Sequence, residues 1–257
     1  MSIDWNVTLA AIWRQRKEYL RPVHNIDPIR LQDLLGIDRQ IQLLVHNTER
    51  FLSAQPANNA LLWGARGTGK SSLIKALLNE YQEKGLRMVE VDKDDLIYLP
   101  EIVDEIRDLT HRYIIFCDDL SFESGDSRYK ALKSVLEGSI EQPPENVLLY
   151  ATSNRRHLLP EYMQDNLASR LVDGEIHHSE AVEEKISLSD RFGLWLSFYP
   201  INDDEYFRIV DSYFADYPGD RDKLHEAALE FSRLRSAKSG RTARQFFNSY
   251  VDNGKES

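Results

Sequence analysis

One cysteine, Cys117, serves 257 residues, so no disulfide can close within the chain. No apolar run approaches the roughly 20 residues that cross a bilayer. The first residues, Met1-Ser2-Ile3-Asp4-Trp5, have neither the basic stretch nor the apolar stretch of a secretory signal. These absences lead to the expectation of a cytoplasmic protein without membrane contact. Basic charge is also short: 32 Lys and Arg face 42 Asp and Glu, a formal net charge of −10. Such a surface is a poor general partner for nucleic acid or anionic membrane, although a local basic patch is compatible with it. No repeat or low-complexity segment interrupts the chain. His177-His178 are adjacent in an ordinary loop, point apart and lack the spaced partners of a metal site. The remaining composition, 42% hydrophobic and 29% charged, is that of a globular protein able to bury a full core.

Against this background one stretch stands out. Gly64-Ala65-Arg66-Gly67-Thr68-Gly69-Lys70-Ser71 reads G-x-x-x-x-G-K-[ST], the phosphate-binding P-loop. Ala60-Leu61-Leu62-Trp63 before it reads as a buried strand, and residues 72–78 after it carry apolar residues at helical spacing. The glycines let backbone N–H groups close on phosphate oxygens, and the helix start adds partial positive charge. Lys70 reaches the β- and γ-phosphates of ATP in this reading, and the Ser71 hydroxyl ligates Mg²⁺.

Residues 4–20, with Trp5, Leu9, Ile12, Trp13 and Tyr19 among polar residues, read as an amphipathic helix ending before Pro22. It packs on the body or docks a partner. Residues 22–28 read as an extended connector, and Asp38 as the cap of a helix running through Phe51. Strands are expected at 61–63, 87–91, 113–117, 146–151 and 194–198, with helices between them, at 94–110 (interrupted by Pro100) and 129–140. Apolar strands alternating with helices point to an α/β fold with a parallel sheet covered on both faces. Ligands of such sheets sit beyond the carboxyl ends of the strands, where the glycine loop, Asp118-Asp119 and Asn154 all fall. After Pro200 three helical segments without strands form a small subdomain. The expected domains are residues 1–32 (helix and connector), 33–200 (nucleotide-binding) and 201–257 (helical lid).

An apolar strand ending in acids supplies what a Mg²⁺–nucleotide site requires. Asp118 is the candidate metal-side residue and Asp119 the candidate for polarising the attacking water, with Glu123 a second candidate base. The Asn154 amide orients the water and touches the γ-phosphate. Arg191, just before the last strand, either stabilises charge on the transferring phosphoryl group or pairs with Asp190 or a nearby Glu. Arg170 is a rival for the first role. Arg241 and Arg244, three residues apart at a helix start, lie near one face, so that one can reach back to the phosphates or both remain solvated. Cys117, inside an apolar strand, reads as an inert core residue. Arg155-Arg156-His157 is a compact basic cluster near the site, suited to phosphate, a neighbouring subunit or nucleic acid.

The order of these motifs resembles that of AAA+ ATPases over roughly residues 33–252. Leu34-Leu35-Gly36-Ile37-Asp38 resembles the segment that packs on adenine, which places Ile37 at the nucleotide. Residues 64–71 match Walker A, and Ser72 follows within the same helix start; residues 114–119 match Walker B. Asn154 falls at sensor 1, Arg191 at the arginine finger, and residues 240–244 at sensor 2. Residues 61–64, 150–159 and 187–195 more closely resemble an uncharacterised bacterial group within that family. The resemblance implies a five-stranded parallel sheet in order 5-1-4-3-2, a helical lid, and a homo-oligomer in which the finger comes from the neighbour. It also implies ATP hydrolysis with Mg²⁺ at the boundary between subunits. One departure is Asp118-Asp119 where most members have Asp-Glu; Asp-Asp occurs in initiator-type members and implies a live but slow site. The expected function is an ATPase that remodels or loads an unknown protein or nucleic-acid client. The alternatives are a nucleotide-dependent binding module, like a helicase loader, with incidental hydrolysis, and a small-molecule kinase.

Overall fold

The computed structural model describes residues 3–122, 128–138, 140, 142–155, 158, 170–172, 175–177 and 191–253. Seven strands form one sheet: β1 (Ala10–Arg14), β2 (Tyr19–Pro22), β3 (Ala60–Gly64), β4 (Leu86–Glu90), β5 (Arg112–Cys117), β6 (Val147–Ser153) and β9 (Leu194–Phe198). Their order is β2-β1-β4-β5-β6-β3-β9. Two further strands, β7 (Arg170–Val172) and β8 (Glu175–His177), make a separate antiparallel hairpin.

The five-stranded sheet expected from the sequence is therefore too small. The strands β9-β3-β6-β5-β4 do run parallel in the order 5-1-4-3-2, but β1 adds in parallel to β4 and β2 adds antiparallel to β1. The added pair comes from residues expected to be helical. Leu9, Ile12 and Trp13 fit a helical stripe, but Ala11, Trp13 and Leu20 also alternate, and the core takes that period-2 set. Backbone pairing with β4 decides between the two patterns. Ahead of β1, Asp4 holds a turn by accepting from the Asn6 N–H at 3.0 Å.

Helices cover both faces. On one face α3 (Leu99–Ile106) and α4 (Arg128–Glu137) pack on Leu61, Val89, Tyr113, Ile115 and Leu149. On the other, α1 (Asp38–Leu52) and α2 (Lys70–Tyr81) pack on Leu62, Met88, Ile114, Phe116 and Tyr150. Asp38 does not cap α1: Ile37 holds the N-cap position without a side-chain bond, and Asp38 is the first helical residue. The expected helix over 94–110 is shorter, a 3-10 turn at Lys93–Tyr98 followed by α3, because Pro100 fits only the first turn of a helix. Among the described residues no helix is long and apolar enough to cross a membrane.

After β9 come α5 (Asp203–Tyr213), α6 (Arg221–Leu234) and α7 (Gly240–Asn253). They enclose a third cluster of Tyr206, Val210, Phe214, Leu224, Ala228 and Phe246. Asn202 and Glu205 form a reciprocal capping box that fixes the start of α5.

A buried polar knot ties α1 to the sheet. Asn47 donates to the Asn58 carbonyl at 2.8 Å and to the Tyr150 hydroxyl at 3.0 Å, and accepts from the Asn58 N–H at 3.0 Å. Thr48 Oγ1 lies 2.9 Å from the same Tyr150 hydroxyl. Burial pushes the Tyr150 phenol up to about 12. The knot fixes where β3 enters the sheet, and so where its far end delivers the glycine loop. Tyr150→Phe leaves Asn47 and Thr48 short of a partner and is expected to cost about 1–3 kcal/mol in urea unfolding. A loss below the error of that measurement would show the knot to be dispensable.

Candidate nucleotide site

The glycine loop leaves β3 under tight constraint. Gly64 has φ +132, and a Cβ there would stand 1.9 Å from the Phe198 carbonyl oxygen of β9. The next residue, Ala65, donates its N–H to that oxygen at 3.0 Å. Gly67 and Gly69 also have positive φ, +77 and +94, conformations that side chains other than glycine rarely adopt. Thr68 Oγ1 closes the loop on the Ala65 carbonyl at 2.8 Å. Helix α2 then begins at Lys70 with Gly69 as its N-cap and no side-chain cap, so its first N–H groups point at the loop. Ser71 and Ser72 occupy its first turn.

Lys70 is 6% exposed. Its Nζ donates to the carbonyls of Gly64 at 2.9 Å and Ala65 at 2.6 Å, and to Asn154 Oδ1 at 3.4 Å. Burial pushes its ammonium below the usual lysine range. Asp118 and Asp119 oppose that shift, while Arg66 and Arg241 add to it. Four charged residues expected at the site from the sequence thus act on one amine.

The carboxyl end of β5 supplies the acids. Asp118 Oδ1 accepts from the Ser71 hydroxyl at 2.6 Å and from the Thr152 hydroxyl. Asp119 stands in the left-handed region, with φ +54. Three bonds to β6 and the residue after it hold this turn: Asp119 N–H to Thr152 Oγ1 at 2.9 Å, Leu120 N–H to the Thr152 carbonyl at 2.7 Å, and Asn154 Nδ2 to the Asp119 carboxylate. Asp tolerates left-handed backbone better than Glu does, which gives the Asp-Asp pair a conformational reason.

Two segments from outside the sheet close on the loop. Ile37, ahead of α1, is buried, and its Cδ1 lies 3.3 Å from where a Cβ on Gly69 would be. The start of α7 lies against Gly67, where a Cβ would stand 2.7 Å from Ser239 Oγ and 3.7 Å from Arg241 Cβ. Arg241 is therefore the nearer of the two candidate arginines. Arg244, one turn further and exposed, is not among the charges felt by Lys70.

Arg191 does not join this cluster. It precedes β9, at the amino end of a parallel sheet whose glycine loop lies at the carboxyl end. Its Nε donates to Glu137 of α4, an ion pair with an acid that is neither Asp190 nor near Arg191 in sequence. Glu123, Asp190, Arg156, His157 and His178 lie outside the described residues. Arg170 and His177 lie in the β7–β8 hairpin, and Arg155 donates its N–H to Ser153 Oγ at 3.1 Å. Cys117 is fully buried, and burial pushes its thiol well above the usual range.

The donors present fit a magnesium triphosphate. Ser71 and Asp118 bring two hard oxygens to 2.6 Å from each other, the ligand type Mg²⁺ prefers. The glycines, the start of α2, Lys70, Arg66 and Arg241 face the same rim with positive charge. A cavity of about 340 Å³ at the opposite end of the sheet, lined by Phe51, Arg112, Pro143, Pro144 and Leu149, includes none of these residues.

Thr152 is the residue that sequence reading overlooked. The signal was its position: the β5–β6 register sets Cys117 opposite Ala151, so the next residue of β6 faces Asp118.

The family described as "Protein of unknown function (DUF815)" matches residues 6–254. An uncharacterized protein of Haemophilus influenzae is 26% identical over 174 residues, 67% of this chain and 73% of that protein. The replication factor C large subunit of Ignicoccus hospitalis is 33% identical over 70 residues, 26% of this chain and only 14% of that protein. Among solved structures, a RuvB point mutant of Thermotoga maritima overlaps with a TM-score of 0.49 at 13% identity, covering 87% of this chain and 73% of that one.

Thr152→Val keeps the shape of the side chain but removes the donor to Asp118 and the acceptor for the Asp119 N–H. It is expected to destabilise the protein by about 1–3 kcal/mol in urea unfolding. Unchanged stability would mean that the Asp119 turn holds itself.

Proposed function

We infer a nucleotide-driven function for this chain, which belongs to the DUF815 family and, by its motifs, to the AAA+ P-loop superfamily. The proposed activity is hydrolysis of ATP to ADP and phosphate at a boundary between subunits, used to remodel or load a macromolecular client. One observation carries it: the Ser71 hydroxyl on Asp118 at 2.6 Å joins the helix that follows the glycine loop to the acidic strand end, beside the Lys70 ammonium.

The chain's own groups divide the work. Backbone N–H groups of the loop and the α2 start bind and orient the phosphates, and Lys70 neutralises charge as the γ-phosphoryl group transfers. Asp119, with its carboxylate held by Asn154, orients the attacking water in line with the leaving oxygen. Ser71 and Asp118 are the residues that would hold Mg²⁺, which when bound would neutralise charge on the triphosphate. Ile37 packs on adenine in this reading, and Arg241 reaches the phosphates from the helical unit. Arg191 serves a neighbouring subunit's site, exchanging Glu137 for the neighbour's phosphate. Asp119 itself favours a second reading, a slow ATPase whose nucleotide state sets which partner is bound. Its side chain ends about 1.5 Å short of a glutamate's, and Asn154 already engages it.

Lys70→Ala is expected to abolish binding of a fluorescent ATP analogue. Arg191→Ala is expected to keep that binding and to lower turnover on the order of 10³-fold. Unchanged phosphate release in the second variant discards the shared site. The two C-terminal arginines are separable: Arg241→Ala should weaken ATP binding and Arg244→Ala should not, and the opposite ranking in a titration would reassign the role.

A further inference from the structure

The hairpin at the sheet edge concentrates the charge that the rest of the chain lacks. Between residues 14 and 21 stand Arg14, Arg16, Lys17 and Arg21 against Glu18 alone, in a chain of net charge −10. The register orders them. Arg14 lies opposite Tyr19 and Ile12 opposite Arg21 on one face, while Trp13 and Leu20 pair on the other and enter the core. The buried pair anchors the hairpin, and the outer face presents arginine, tyrosine and arginine in a cross-strand patch. Arg16 and Lys17 extend it through the turn.

This surface is both open and fixed. Arg14, Arg16, Lys17 and Tyr19 are exposed. Among the described residues Arg16 and Lys17 form no ion pair, and Arg14 only feels Asp95 at a distance. The turn is held by the Glu18 N–H on the Gln15 carbonyl at 3.1 Å, and by Gln15 Nε2 on the Tyr98 hydroxyl at 3.3 Å. Glu90 of β4, two strands from Arg21, is an acid in the same row across the sheet.

We propose that the outer face of the β1–β2 hairpin binds single-stranded nucleic acid. Arg14, Arg16, Lys17 and Arg21 engage phosphates, and Tyr19 stacks on an unpaired base. A flat aromatic between cations suits a base with its flanking phosphates, whereas a carboxylate surface offers the tyrosine no ring to stack on. The ribbon carries one exposed ring and no helix to enter a duplex groove, which favours a strand whose bases are splayed. The site also lies on the right rim. β1 runs parallel to β4, so the hairpin turn projects at the carboxyl end of the sheet, where Asp118 and the glycine loop lie. Two strand spacings, about 10 Å, separate β1 from β5. The proposal rests on the nucleotide-driven reading only in naming the class of its client; binding itself needs no hydrolysis.

The test uses the full chain and a fluorescein-labelled oligothymidylate of about 20 nucleotides, longer than the strand such a patch can cover. Binding is followed by anisotropy and phosphate release from ATP is measured alongside. Log affinity should fall against log salt with a slope of about −2 to −3, for three to four phosphates. Joint replacement of Arg16 and Lys17 by alanine should lower the affinity at least tenfold and flatten the slope by about 1.4. Tyr19→Ala should weaken binding about tenfold with the slope unchanged, and Tyr19→Phe should restore it. All three variants should hydrolyse ATP at the parent rate. Absence of oligonucleotide binding in a protein that hydrolyses ATP overturns this proposal alone. Binding without hydrolysis upholds it while the proposed activity falls. Duplex bound as tightly as single strand overturns the stacking role of Tyr19. Variants that change the mass of the protein in solution but not its anisotropy signal make the hairpin a contact between copies of the chain, which also overturns it.

Discussion

A single carboxylate oxygen ties the site together. Asp118 Oδ1 receives a hydroxyl from Ser71, at the start of α2, and another from Thr152, near the end of β6. Those two hydroxyls come from elements far apart in sequence, and they meet only because β6 runs between β3 and β5. Sheet order is therefore what brings these groups together. A slip of one residue in the β5–β6 register would turn Thr152 to the other face and leave the Asp119 turn without its acceptor. The same constraint reaches back to the opposite end of the sheet, where Asn47, Thr48 and Tyr150 set the entry of β3.

Electrostatics around the glycine loop favour an anionic guest. Arg66 and Arg241 act unfavourably on Lys70 while burial disfavours the lysine's charge, and Asp118 and Asp119 offset part of that cost. A polyanion on the rim would offset the repulsion that Arg66 and Arg241 exert on Lys70. Close packing supports it. Ile37 and Ser239 approach Gly69 and Gly67 from two other parts of the chain, and a side chain at either glycine would push them away.

The glycine loop and the acidic strand end were legible because each is a local pattern: a fixed spacing of glycines and a run of apolar residues ending in acids. Asn154 was legible by its place at a strand end. The features that escaped depend on partners remote in sequence. Residues 4–20 carry apolar positions that satisfy a period of 3.6 and, in part, a period of 2, and only pairing with β4 selects the strands. Thr152 has no motif of its own and gains its role from facing Asp118. The Glu137 partner of Arg191 lies 54 residues away on another element. Asp38 looked like a cap because of its residue type, but the backbone places Ile37 at that position.

The hairpin also answers a structural need, and the two roles can be separated residue by residue. Without β1, the edge of β4 would lie open to pairing with another chain; with it, β2 becomes the edge, and charge and proline are common ways of keeping such an edge from pairing. Pro22 and Arg21 fit that protective role, since both lie within the ladder on the outermost strand. Arg16 and Lys17 do not, because they stand in the turn beyond the last paired residues, Arg14 and Tyr19, where there is no ladder to protect. Tyr19 does not either, since an exposed aromatic at a sheet edge invites association rather than preventing it. Edge protection therefore accounts for Arg21 alone within the patch, and what it leaves unexplained is the ring and the cations nearest the rim where the glycine loop lies.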